Sequence, residues 1–308
     1  MSRETEKLFK DLHKYMEEHS TDILTEDDAH RLANEFMAQY NLNIPTPVTA
    51  DTAKTSDDYL ELAYDASTLK DAVKYAKKAL ELDPNNYDAE VMLLTSKNTD
   101  DTKLTKDLSN AVQRATKHMS DEGYFEDDSI GHFWGIVETR PYMRLRSEYM
   151  QALVECGMIG KAREEGEELI RLCENDNLGV RYQLMHIYAY FEDEQAALNL
   201  HQKYDNYDET QMLLPLSIIY YKKGDFVKAS KYLRKLNSVN KDLKLFLKVL
   251  IGLGDYDELP DPEVDFGYRP NTVEELMMEV AANEFLFSNL TTYIEWAYQQ
   301  VKNLNKDI

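Results

Sequence analysis

The stretch FWGIVETRPYMRLR, residues 133–146, gathers Arg140, Arg144 and Arg146 behind two bulky aromatics, Phe133 and Trp134. A guanidinium offers paired N–H donors that match a carboxylate, so arginines on an acidic protein have the chemistry of an anion anchor. Pro141 fits the first turn of a helix, where its missing N–H costs nothing, and Thr139 or Glu138 is expected to satisfy the free N–H groups at that helix start. A structural reading stands beside the binding one. Arg140, Arg144 and Arg181 can pair with Glu138, Glu148 or Glu155 and hold one helix pair against the next, with Phe133 and Trp134 as core plugs. The structural reading is taken for Phe133, Trp134, Glu138, Thr139, Arg140, Pro141 and Tyr142, and both stay open for Arg144 and Arg181.

Other chemistry is sparse in the residues. The chain holds no P-loop, G-x-G-x-x-G, H-E-x-x-H or G-x-S-x-G. Gly252 and Gly254 form only a G-x-G at a helix end. DPEVDFG, residues 261–267, falls short of a calcium loop, because its glycine is one place late and Thr272 stands where a glutamate is needed. His13, His30 and His201 lack partners at i+3 or i+4, and His186 sits among apolar neighbours as a hydrogen-bonded core residue. Cys156 and Cys173 read as buried, inert thiols. His132 follows a run with five acids and no base between Asp121 and Asp128, which leaves room for an unrecognised enzymatic site there. Neither a metal nor a cofactor is implied.

Composition sets the frame. The chain has 308 residues, is 43% hydrophobic and 30% charged, and carries a net charge of −22. That charge repels phosphates and argues against nucleic acid. No stretch approaches the ~18 apolar residues of a membrane span. A charged N-terminus and two cysteines fit a cytoplasmic protein. Eleven glycines is few, and abundant Ala, Leu, Glu and Lys favour helices.

The elements that must position these residues are helical. Leu8, Leu12, Tyr15 and Met16 make one stripe; after Thr25 and Asp28, a helix-start pair, Leu32, Phe36 and Tyr40 make another. Residues 1–42 therefore read as an N-terminal helical hairpin, and 43–57 as a linker. DAVKYAKKALELDP then places Ala72, Ala76 and Ala79 before Pro84, small residues that let helices approach closely. The register returns at Ala162, Ala196 and Ala229, 34 and 33 residues apart. Gly157 and Gly224 stand five residues before their alanines, where a helix must end and reverse; Phe191 holds that place in the middle repeat. These runs resemble tetratricopeptide repeats, whose period is about 34 residues. The resulting expectation is an all-α, tetratricopeptide-like helical-repeat solenoid, a right-handed α–α superhelix. Residues 58–120 form a first block, 121–140 an acidic and aromatic loop, 141–254 the repeats, and 255–308 an irregular loop and a C-terminal capping helix pair. Thr272 and Glu275 suggest a capping box there.

A narrower resemblance rests on Trp134, Gly135, Glu138 to Arg144, and Asn175 to Tyr182 of ENDNLGVRYQLMHIY. Together they are similar to a family of bacterial tetratricopeptide proteins related to the suppressor-of-tumorigenicity-seven family. That family implies a helical scaffold and brings no catalytic residues. In tetratricopeptide repeats the first helix of each pair lines the concave face. The same register gives a groove of Arg144, Gln151, Glu155, Arg181, Met185, Tyr188, Gln211, Tyr221 and Lys222. The leading expectation is a non-enzymatic scaffold or adaptor that binds a protein or peptide segment in that groove, with Arg144, Arg181 and Lys222 holding an acidic anchor group. Neither nucleic acid nor a membrane is an expected partner. A peptide-responsive sensor is the alternative, and an enzyme near His132 the third.

Overall fold

The computed structural model describes residues 3–19, 25–42, 47–97, 100–126, 128–259, 269–302 and 304. The 261–267 stretch and residues 43–46 of the expected linker lie outside them, as does Asp127 of the acidic run. The described residues contain 16 α-helices and no strand, so the chain is all-α. Its extended pairing is one antiparallel bridge, His132 with Cys173. Among the described residues no helix is long and apolar enough to cross a membrane.

The chain divides into two compact units, Met1–Cys156 with Glu168–Asn177, and Gly157–Glu167 with Leu178–Ile308. The first holds α1 (Arg3–Glu18), α2 (Glu26–Leu42), α3 (Ser56–Tyr64), α4 (Leu69–Leu82), α5 (Tyr87–Lys97), α6 (Asp101–Asp121) and α7 (Arg140–Glu155). Helix α8 (Ile159–Leu172) belongs to the second unit in its first half and to the first unit in its last.

Local chemistry starts these helices where the residues say it should. Thr25 and Asp28 cap each other's backbone ahead of α2, Asp28 N donating to Thr25 Oγ1 at 3.2 Å and Thr25 N to Asp28 Oδ2 at 3.1 Å. Thr55 and Asp58 form the same box on α3, and Thr68 caps α4. Successive helices α3 to α7 pack against their neighbours, with α5 also against α7. Ala63, Ala76, Ala79 and Ala89 line the contact with at most 2% exposure, because a methyl side chain lets helix backbones close up. Asn86 ties the corner: its Nδ2 donates to Ser56 Oγ at 2.8 Å, and its Oδ1 accepts from Ala89 N at 3.0 Å.

In the second unit, α9 (Val180–Phe191) and α10 (Glu194–Lys203) precede α11 (Thr210–Lys222) and α12 (Phe226–Val239). Helix α11 is central, buried from Thr210 through Tyr220, and it packs against α9, α10 and α12. The chain continues through α13 (Leu243–Leu250), α14 (Val273–Ala282), α15 (Glu284–Phe287) and α16 (Thr291–Val301). Where a closing pair was expected, three helical segments stand, because Asn283 and Leu290 each interrupt the helical run. Thr272 makes no cap on α14; its hydroxyl turns back to Arg269 O, and Glu275 accepts from Asn271 N at 2.6 Å instead.

The helix reversals follow the repeat reading with one slip. Gly157 and Gly224 take φ of +68° and +76°, the left-handed region that favours glycine. In the middle repeat the left-handed residue is Glu192 rather than Phe191, and the buried alanine is Ala197 rather than Ala196. Helix α9 runs one residue further there, and the register moves with it.

Candidate functional site

The segment 133–146 starts from a fixed anchor. Phe133 N donates to Leu172 O at 3.0 Å and Glu174 N to Gly131 O at 2.9 Å, which pins the turn before α7 to the chain after α8. Phe133 and Tyr142 are fully buried and pack on Phe125. Pro141 lies in the first turn of α7 as expected, whereas Thr139 makes no side-chain cap. Its hydroxyl donates to the carbonyls of Phe133 and, at 3.0 Å, Ile136, holding the turn closed. Glu138 faces α1 instead and meets His13 Nδ1 at 2.9 Å.

The arginines separate by role. Arg146 donates to Tyr142 OH at 2.9 Å and approaches Glu168 at 3.4 Å, within the packed interior. Arg140, with its side chain 5% exposed, donates Nε–H to Trp134 O at 2.8 Å. Arg144 serves two carboxylates. Its Nε and Nη2 reach Asp88 at 2.7 and 2.5 Å, and its Nη1 and Nη2 reach Glu6 at 3.0 Å each. Asp88 sits in the first turn of α5, where the positive helix end favours an acid. Burial would lower the Arg144 pKa, but the bonds to Asp88 and Glu6 outweigh it and hold the guanidinium above its ordinary value. The Trp134 ring lies 5.7 Å from the Arg140 guanidinium and 5.9 Å from that of Arg144. Arg140 also stands 3.9 Å from Glu6, so two guanidiniums face two carboxylates. Arg144 is paired with Glu6 and Asp88, not with Glu148 or Glu155, which are nearer in sequence.

This site opens into a cavity of about 430 Å³ in the first unit, between α1, α3, α5 and α7. Leu60 and Tyr64 of α3 give it an apolar wall, and Arg144 and Asp88 a charged one. Lys7 and Lys10 of α1 close it by reaching Glu61 at 2.7 Å and Asp57 at 3.1 Å. The N-terminal hairpin is therefore bonded to the face of its unit. Sequence reasoning missed Glu6, Asp88, Leu60 and Tyr64. The one signal available was the charge pattern Glu6, Lys7, Lys10 on the polar side of α1.

The nine groove residues divide between the units. Beside Arg144 the first unit holds Gln151 and Glu155, which bond each other at 3.1 Å on the exposed side of α7. In the second unit Met185, Tyr188 and Gln211 are buried. Helix α15 packs on α9 and α14 on α11, bringing Phe287 to His186 and Glu279 to Gln211, while Tyr188 lies against Arg163 and donates to Glu167 of α8. Tyr221 packs against Phe226, Tyr293 and Trp296. Arg181 lies between the rings of Tyr182 and Tyr204, 4.4 and 4.8 Å away. Lys222 donates to Ala189 O and Tyr190 O at 2.9 and 2.8 Å, satisfying carbonyls at the end of α9.

The second unit also buries a titratable pair. His186 Nδ1 donates to Tyr182 O at 2.9 Å, which turns its Nε2 toward Glu279 Oε2 at 3.3 Å. Burial pushes Glu279 up to about 7 and His186 down to about 4. Glu279 therefore keeps its proton below about neutral pH beside a neutral His186, whose Nε2 makes no hydrogen bond among the described residues. His186 is the core histidine expected from the sequence.

No protein-family model matches this chain, and no curated protein sequence matches it. The class that the fold defines is that of all-helical proteins with consecutively packed helices.

Proposed function

We propose that this protein is a non-enzymatic scaffold of the tetratricopeptide kind, a right-handed helical-repeat solenoid that holds a segment of a partner protein on the face of α3, α5 and α7. These are the first helices of successive pairs, the ones that line the concave side in that architecture. The alanines of the helix contacts and the left-handed reversals at Gly157, Glu192 and Gly224 support the repeat reading. The likeness of residues 133–182 to bacterial relatives of the suppressor-of-tumorigenicity-seven family supports it further.

One observation carries the functional reading. The Arg144 fork, on the face of the inner helices, is already bonded by a glutamate from a helix that lies on that face. With Glu6 set aside, Arg140 and Arg144 outnumber Asp88 at this one end of a cavity whose other charged walls, Asp57, Glu61 and Asp65, are acidic. A carboxylate is then the natural guest, and Leu60, Tyr64 and Trp134 supply contact area around it.

The test is capture of partners from lysate of the native host by the wild type, Arg144→Glu and the milder Arg144→Gln, each with its helicity checked. A partner held by the wild type and lost with both variants supports the reading. A partner retained by both folded variants means that the face of α3, α5 and α7 is not where it binds.

A further inference from the structure

Helix α1 covers this face without being built into it. None of its described side chains is buried, and Phe9 is exposed. Its apolar side goes to its own hairpin, where Tyr15 meets Phe36 at 5.4 Å. Toward the face it presents charged side chains. Glu6 bonds Arg144, Lys7 bonds Glu61, Lys10 bonds Asp57, and His13 meets Glu138. The cavity of about 430 Å³ is left between these side chains and Leu60, Tyr64 and Asp88, so the helix spans the face without filling it. A segment that belonged to the core would exclude that space, because protein interiors are close-packed.

We propose that α1 is an intramolecular stand-in for the partner. The true occupant is a helix of another protein in the same charge register: a carboxylate for Arg144, amines one and four residues further on for Glu61 and Asp57, and larger apolar side chains that fill the space against Leu60 and Tyr64. This rests on the proposed function of the face and adds the chemistry of what binds there. Because α1 is tethered, it competes at high effective concentration, and the face is available only in the fraction of molecules in which α1 has lifted away.

The full-length chain tests this with a fluorescein-labelled synthetic peptide of residues 3–18 as the probe, read by anisotropy. In the wild type the tethered helix keeps the peptide out. Lys7→Glu/Lys10→Glu loosens the tethered helix, and the peptide then binds at least about tenfold more tightly. Amide exchange of α1 rises in the same variant. Adding Asp57→Lys/Glu61→Lys restores the charge pairs within the chain, so peptide binding falls back. A peptide carrying Glu6→Lys does not bind any of the folded forms.

The proposal is overturned if the loosened variant gains no affinity while its helicity is intact, or if α1 exchange is unchanged by the two substitutions. It is equally overturned if the gain comes with dimerisation in sedimentation, since the occupant would then be a second copy of this chain. Each of these results leaves Arg144-dependent capture standing, whereas loss of that capture alone strikes the underlying reading.

Discussion

Terminal helices lie on inner helices in both units, yet the two coverings differ in kind. In the second unit α14, α15 and α16 bring Leu276, Leu286, Tyr293 and Val301 to between 0 and 3% exposure. Each such side chain contributes roughly 1.5–3 kcal/mol by leaving water. In the first unit none of the described side chains of α1 is buried, and the helix holds on by ion pairs. Exposed pairs such as Lys10–Asp57 are worth about 0–1 kcal/mol each, and a charge-assisted bond such as Arg144–Glu6 about 1.5–3 kcal/mol. An apolar covering is part of the folded unit; a charged one can come away while the unit stays folded. The lesson is that coverage of a helical face does not by itself make it core.

The comparison can be broken most sharply in the second unit. Leu276→Ala is expected to cost about 2–5 kcal/mol in urea unfolding, since it opens a cavity in a fully buried layer. Leu8→Ala, on half-exposed α1, should cost less than about 1 kcal/mol. Equal costs would remove the distinction between the two coverings.

A smaller effect sharpens the account of the apolar covering. The folded-state pKa of Glu279 is raised, so its contribution is present below about 4.5 and is lost as pH rises through about 7. The folded-state pKa of His186 is depressed, so its contribution is present above 6.5 and is lost as pH falls through about 4. The two slopes oppose each other between 4.5 and 6.5, and from 6.5 to about 7 the Glu279 decline stands alone. Urea midpoints should therefore drop over that interval by an amount worth less than about 1 kcal/mol. In Glu279→Gln, which is of like size and cannot titrate, the drop should vanish with the fold intact. A decline that persists would mean that another group titrates there.

The smallest effect belongs to α1. The hydrogen bond from Glu138 raises the His13 pKa above its ordinary 6.5. The contact is therefore fully present below 6.5 and is lost as pH rises through the raised value. Exchange of α1 amides, corrected for intrinsic rate, should quicken as pH rises above 6.5, and His13→Gln should abolish that quickening. An α1 whose protection is flat across this range would show that His13 plays no part in holding it.

What the sequence disclosed and what it hid divide along chain distance. The helix start at Thr25, Pro141 in the first turn of α7, the close-packed Ala76 and Ala79, and the reversals at Gly157 and Gly224 depend on residues a few places apart and were legible; the cap expected of Thr139 is not made. The slip at Glu192 and Ala197 was a matter of one residue. The partners of Arg144 were beyond reach. Glu6 and Asp88 are 138 and 56 residues away, while Glu138, Glu148 and Glu155 compete nearby in sequence. The burial of Gln211 was hidden for the same reason: its partner Glu279 lies on α14, 68 residues further on.

Native-state hydrogen exchange tests the central claim most directly. The expected result is that α1 amides exchange through local opening, at a free energy well below that of global unfolding and insensitive to Leu276→Ala, while α14 and α16 exchange only as their unit unfolds. Protection of α1 equal to that of α14 and α16 would contradict the account, because the charged helix would then be as integral to the fold as the apolar ones.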